Sequence, residues 1–218
     1  MSSKSSVPWK DTAYVPTGGK HGVPKVAAIL NKIGVPIKAV FDIDFLSEQK
    51  LVKSTVEAFG GNWDECGPVW SKIDHVIRNG NLAKSVDKIK EEIILLLQNK
   101  VEIGLPKSDV TELMKQTQAW SHVKKYGISG IPETAKKDFG ILQIKLEAIG
   151  IYLIPVGEIE NFCPQGSAHG PKFVTRLLSK VPFDDTRLIG LREFVTKVHE
   201  GSHSRIDTNE NLSCNSAN

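Results

Sequence analysis

The stretch "VFDIDFL" (residues 40–46) reads as an apolar strand that leaves the core carrying two acids one residue apart, Asp42 and Asp44. Residues two apart on an extended chain point the same way. The strand reading therefore predicts that Asp42 and Asp44 face one cation at the strand exit. Upstream, "AYVPTGGK" (13–20) reads as a strand followed by a glycine turn. "VPKVAAILNKIG" (23–34) has helical spacing, with Pro24 in the first turn and Gly34 at the stop. Downstream, "SEQKLVKSTVEAFGG" (47–61) reads as a helix, with Ser47 as N-cap and Gly60 as terminator. Strand, helix, strand, helix is the order of a parallel α/β sheet.

Beyond residue 61 the periodicity becomes helical. "DKIKEEIILLLQNK" (87–100) has a thick apolar face. "SDVTELMKQTQAWSHVKKYG" (108–127) opens with Asp109 and Glu112 at capping-box spacing and closes at Gly127. "IPETAKKDFGILQIKLEAIG" (131–150) places Pro132 in the first turn and Gly150 at the end. "IYLIPVGEIENF" (151–162) returns to strand character, and "GPKFVTRLLSK" (170–180) and "DDTRLIGLREFVTKVHEG" (184–201) predict two further helices. The expected organisation is an α/β domain in two parts, 13–61 and 150–200. A helical insertion over 62–149 separates them, and a disordered tail covers 201–218. Trp63, Trp70 and Trp120 are expected to build the insertion's own core.

Each expected strand ends in residues suited to phosphate or metal: Gly18, Gly19 and Lys20; Asp42 and Asp44; and Gly157, Glu158 and Glu160. Open parallel sheets put ligand sites at the carboxyl ends of their strands, so these distant positions are expected to converge. Carboxylate oxygens suit Mg²⁺ or Mn²⁺, which keep open positions for water and substrate phosphate. "HGVPK" (21–25) and "HGPK" (169–172) both precede helices. Helix N-termini bearing Lys25 and Lys172 can attract DNA phosphates, with His21 and His169 beside them.

Composition sets wider bounds. The 218 residues are 40% hydrophobic with a net charge of +3, which is too small to announce nucleic acid. Apolar runs fall short of membrane-spanning length, and no charged-then-apolar leader opens the chain. Cys66, Cys163 and Cys214 are odd in number and far apart, so a cytoplasmic, reducing setting is expected.

The segments "VPTGGKHGVPKVAAILNKIGVPIKAVFDIDFL", "IYLIPVGEIENFCP" and "HGPKFV" together resemble the Toprim nuclease domain of the OLD (overcoming lysogenization defect) family of ATP-dependent endonucleases. The resemblance spans about residues 13–180. It implies a Toprim-like parallel sheet flanked by helices and a divalent-metal-dependent DNA endonuclease, with phage defence suggested by the family alone. Asp42 and Asp44 match the D-x-D metal ligands, and Glu158 and Glu160 match the acids of the G-E-x-E segment. Lys172 looks like the basic residue near the scissile phosphate.

Two departures stand out. No G-x-x-x-x-G-K-[ST] occurs, so ATP hydrolysis is not expected. The opening Toprim strand, with its E-G-x-x-D glutamate, is missing, since the first glutamate is Glu48. Two-metal hydrolysis needs ions about 3.5–4 Å apart, and the lost glutamate would help hold one of them. The expectation is therefore little activity without an upstream segment or a separate ATPase chain; a homodimer is the other assembly considered. Two alternatives stay open. One is a non-catalytic DNA-binding or assembly module. The other is a phosphatase of the haloacid dehalogenase kind, although Leu46 stands where that family typically has Thr or Val.

Overall fold

The computed structural model describes residues 12–80, 85–99, 107–115, 118–165 and 170–201. The described residues are mostly helical, and among them the sheet has two parallel strands, β1 (Ala39–Phe41) and β2 (Ile151–Leu153). Ala39 pairs with Ile151, Val40 with Tyr152 and Phe41 with Leu153. This is the coarse α/β character that the sequence predicts.

The helices are α1 (Val23–Lys32), α2 (Gln49–Ala58), α3 (Trp63–Asn79), α4 (Val86–Asn99), α5 (Lys107–Lys115), α6 (Ala119–Tyr126), α7 (Glu133–Ala148), α8 (Pro171–Lys180) and α9 (Ile189–Glu200). Proline starts α1 and α8, as its fixed φ favours. Gly150, at φ 88°, turns the end of α7 directly into β2. Among the described residues no helix is long and apolar enough to cross a membrane.

Several expectations need correction. Residues 12–17 form no strand: Tyr14 and Val15 are 77% and 54% exposed, and Pro16 removes a ladder donor where no partner strand lies among the described residues. Ser47 is not the N-cap of α2. It closes a 3₁₀ turn over Ile43–Ser47, and Glu48 takes the cap position without a side-chain cap bond. The helix expected over 108–127 divides into α5 and α6, with Gln118 extended before α6. Asp109 lies in the first turn of α5, not at its cap. β2 stops at Leu153, so the glutamates follow it on a turn instead of ending a strand. The tail from 202 onward, with Cys214, lies outside the described residues.

One core runs from α1 to β2. Ile43, Phe45 and Leu46, interleaved with the two acids and following them, are fully buried, as are Val52, Ile73, Val123, Leu142 and Ile151. Phe41 stacks on Phe45 at 4.1 Å. Each such side chain contributes on the order of 1.5–3 kcal/mol by leaving water. The tryptophans do not form a separate core. Trp70 and Trp120 share this one, and Trp70 Nε1 donates to the Leu46 carbonyl at 2.9 Å. α3 lies along α7, tied at the surface by Lys145 and Glu65 at 3.0 Å. A smaller cluster of Cys163, Val181 and Leu188 joins α8 and α9 to the segment after β2.

Leu142 and Ile144 sit two residues apart on α7, one fully buried and the other 70% exposed. Leu142→Ala should cost about 2–5 kcal/mol in urea denaturation. Ile144→Ala should stay within about 0.5 kcal/mol. Comparable losses at both positions would contradict the packing of α7.

Candidate active site at the carboxyl edge of the sheet

The two strands stay joined beyond their last paired residues. Ile154 N–H donates to the Phe41 carbonyl at 2.9 Å, and Ile43 N–H donates to the Gly157 carbonyl at 3.0 Å. These bonds lay residues 42–44 alongside 154–158. Each arm then turns into a short 3₁₀ helix, Ile43–Ser47 on one and Ile159–Phe162 on the other. Asp42 and Glu158 hold the extended positions just before the turns, and Asp44 and Glu160 lie in the first turns. The acids thus share a design, but not the flat strand face that the sequence predicts.

A third element completes the edge. Gly127, at φ 60°, ends α6 against the turn after β2, and a Cβ there would collide with the Pro155 carbonyl oxygen. Gly157, at φ 97°, meets the Lys124 carbonyl in the same way. Ile128 N–H donates to the Pro155 carbonyl at 2.8 Å, and Asn161 Nδ2 donates to the Val156 carbonyl at 2.8 Å and the Lys125 carbonyl at 3.2 Å. This close approach carries Lys124 to the acids. Its Nζ lies 2.9 Å from Glu158 Oε1 and 3.4 Å from Asp44 Oδ2.

Lys20 arrives from the other side. The turn at Gly18 and Gly19, both at positive φ, sends its Nζ to 2.8 Å from Glu48 and 3.8 Å from Asp44. His21 stands 3.7 Å from Glu48. Glu160 takes a different partner, accepting from the Gly170 N–H at 2.9 Å at the start of α8, where the helix dipole favours an anion.

Burial pushes the Asp42 carboxyl up to about 6, and the charges of Asp44 and Glu158 add to the rise while Lys124 opposes it. Burial alone would lower the Lys124 pKa. Its hydrogen bond to Glu158 and the nearby Asp44 charge outweigh that and hold it above the ordinary lysine value. The hydrogen bond from Lys20 keeps Glu48 below the usual glutamate range.

Asp42, Asp44, Glu158 and Lys20 are therefore gathered, with Gly18 and Gly19 beside them. Glu160 is near enough to act on Asp42 but is bonded to α8. Lys25 and Lys172 are exposed in the first turns of α1 and α8, and neither is ion-paired to these acids among the described residues. His169 lies outside the described residues. Lys124 is the residue that sequence reasoning missed. Gly127 marks the helix end, but nothing in "SHVKKYG" says that a lysine there meets acids from two strands.

Carboxylate oxygens are the donors a hard divalent ion prefers, and those of Asp44 and Glu158 lie within reach of one ammonium. As they stand, no three carboxylate, histidine or cysteine side chains among the described residues form a group that could hold a metal. The Lys124 ammonium bridges Asp44 and Glu158 instead. No family model matches the chain, nor does any curated protein or solved structure.

A raised carboxyl gives a signed pH effect. Between roughly pH 4 and pH 6 the unfolded chain loses the Asp42 proton while the folded chain keeps it. The contribution of Asp42 to folded stability therefore falls as pH rises through that window and is level on either side. Asp42→Asn removes the effect. In urea denaturation with EDTA present, its stability relative to the unmutated chain should be greater at pH 7 than at pH 4. A constant or shrinking difference would show that the Asp42 carboxyl is not raised in the folded chain.

The glycine contacts make a separate forecast. Gly157→Ala should destabilise by more than about 1 kcal/mol, because it combines a left-handed φ with a backbone collision. Gly140→Ala, with open space at its Cβ, should not destabilise.

Proposed function

We propose that the chain carries out divalent-metal-dependent cleavage of DNA phosphodiester bonds in a Toprim-like site of the OLD type. The observation that carries the reading is the meeting of Asp42 and Asp44 with Glu158 at one sheet edge, with two lysine ammonium groups among them. Asp42, Asp44 and Glu158 would hold Mg²⁺ or Mn²⁺. A bound ion would supply Lewis-acid charge and a more acidic water.

The chain's own groups have distinct parts. Lys20, presented by the Gly18–Gly19 turn, and Lys124 are placed to take the oxygens of a phosphodiester. Glu160 fixes the start of α8 through Gly170, and with it the backbone that carries Lys172. Lys172 and Lys25, both exposed in first helical turns, would engage flanking phosphates. Cys66 and Cys163, free and buried, accord with a cytoplasmic setting.

One observation favours a non-catalytic DNA-binding module: Asp44 and Glu158 already have a positive partner in Lys124. Supercoiled plasmid separates the two readings, because a single nick per molecule is visible even when turnover is slow. Slow nicking is expected in Mn²⁺ or Mg²⁺, abolished by EDTA, and lowered at least about a hundredfold by Asp42→Asn with Asp44→Asn. Gel retardation without nicking would favour the binding module. Nicking that ignores both EDTA and the double variant would remove these acids from the reaction.

A further inference from the structure

β1 has two edges and, among the described residues, one partner strand. Ala39 N–H donates to the Gly150 carbonyl at 2.9 Å, and the Phe41 carbonyl accepts from Ile154 N–H at 2.9 Å. Backbone groups alternate along a strand, so Val40, between those two residues, turns its N–H and C=O away from β2. No hydrogen bond among the described residues takes up either group. The Val40 side chain is 44% exposed, whereas Ile151, Tyr152 and Leu153 of β2 are all buried. Proteins commonly guard such an edge with a charge, above all a lysine. Lys38, next to β1, does not serve that purpose, because the carbonyls of Val198, His199 and Gly201 hold its ammonium. The approach to the edge is apolar as well: Ile33, just after α1, and Val35 are 67% and 42% exposed.

We infer that β1 is a self-association edge: a second copy of the chain adds its own β1 antiparallel across a two-fold axis at Val40, joining the two sheets into one of four strands. A free N–H and C=O on a strand edge are answered by another strand, and a two-fold axis at Val40 lets the same residue answer itself. The two Val40 residues then exchange both N–H···O=C bonds, as in the closely spaced pair of an antiparallel ladder. The register follows from that pair. Ala39 lies opposite the partner's Phe41, and Lys38 lies opposite the partner's Asp42. The seam is thus apolar at its centre and sets opposite charges, not like ones, across its ends. A one-residue slip would set Val40 against the partner's Ala39, whose N–H is already bonded to β2. Three strand pairs cover far less than the roughly 1,600 Å² of a standard interface, so the dimer is weak. The strands run antiparallel, so the two acid edges open at opposite ends of the joined sheet. The inference is independent of what those acids do.

Sedimentation equilibrium and hydrogen exchange of the whole chain test this. Mass should climb from monomer toward dimer with a Kd of about 10–500 μM, and the Val40 amide should exchange more slowly as concentration rises. Val40→Lys sets a charge on the seam and should raise that Kd at least about tenfold while circular dichroism stays unchanged. Cys66 and Cys163 are buried, so a Cys214→Ser background leaves an introduced thiol as the accessible one. In that background Val40→Cys should form a disulfide-linked dimer on mild oxidation, because paired Cα atoms about 5.5 Å apart lie within disulfide reach. Ile144→Cys, exposed on α7, should link far more slowly. A chain that stays monomeric to about 1 mM would overturn the inference. If its Val40 amide is protected even so, the chain's own terminal residues cover the edge. A dimer that Val40→Lys leaves intact, or that links as readily through residue 144 as through residue 40, would also overturn it by placing the contact elsewhere. Should Val40→Lys fail to fold, the comparison of the two cysteine variants decides.

Discussion

Three residue pairs, Ala39 with Ile151, Val40 with Tyr152 and Phe41 with Leu153, hold together segments more than a hundred positions apart. A two-stranded parallel pair is a weak object by itself, and closing so long a loop costs entropy. The helices supply what the strands lack. α7 runs into β2 through Gly150 and packs along α3, while α6 covers the turn that follows β1. Ile43, Phe45 and Leu46 are fully buried beneath that turn. The strands give the site its direction, and the helical core gives the strands their permanence.

The same core explains why charge can be concentrated at the edge. Ile43 and Phe45 alternate with Asp42 and Asp44 and anchor the turn, so the acids are held close despite their repulsion. Such crowding works against stability and persists only where surrounding packing over-determines it. The lysines offset part of the cost. Lys20 and Lys124 converge on Asp44 from opposite parts of the chain, while Glu160 is drawn away to α8. The edge is therefore not a plain acidic patch. It has a mixed character, with lysine ammonium groups set among the carboxylates.

Much of this was legible in residue order. Period and punctuation locate α1, α7 and α8, where proline begins or precedes the helix, and α1, α7 and α9, which glycine follows. The acids of "VFDIDFL" and "GEIE" do meet, because parallel strands put their carboxyl ends together whatever lies between them. The failures have physical causes. "AYVP" has strand-like residues but no strand to pair with among the described residues, and strand propensity without a partner decides little. The spacing of two between acids predicts a shared strand face, yet both arms bend into 3₁₀ turns just after the register ends. Lys124 was invisible because its position is set by two glycines thirty residues apart, Gly127 passing the Pro155–Val156 backbone and Gly157 passing the Lys124 carbonyl. A single sequence shows such residues as ordinary stops and ordinary surface charge.

Lys38 holds the opposite end of the sheet. Its ammonium donates to the carbonyls of Val198, His199 and Gly201 at 2.7, 3.0 and 2.7 Å, closing the C-terminus of α9 against the start of β1. An ammonium has three N–H bonds directed to the corners of a tetrahedron, and here all three find an oxygen. Arginine would keep the positive charge, but a planar fork spreads its donors in one plane. At this joint the conserved quantity is shape, not charge. A substitution that looks conservative on paper would leave a helix end uncapped and loosen α9 from the strand that leads to Asp42.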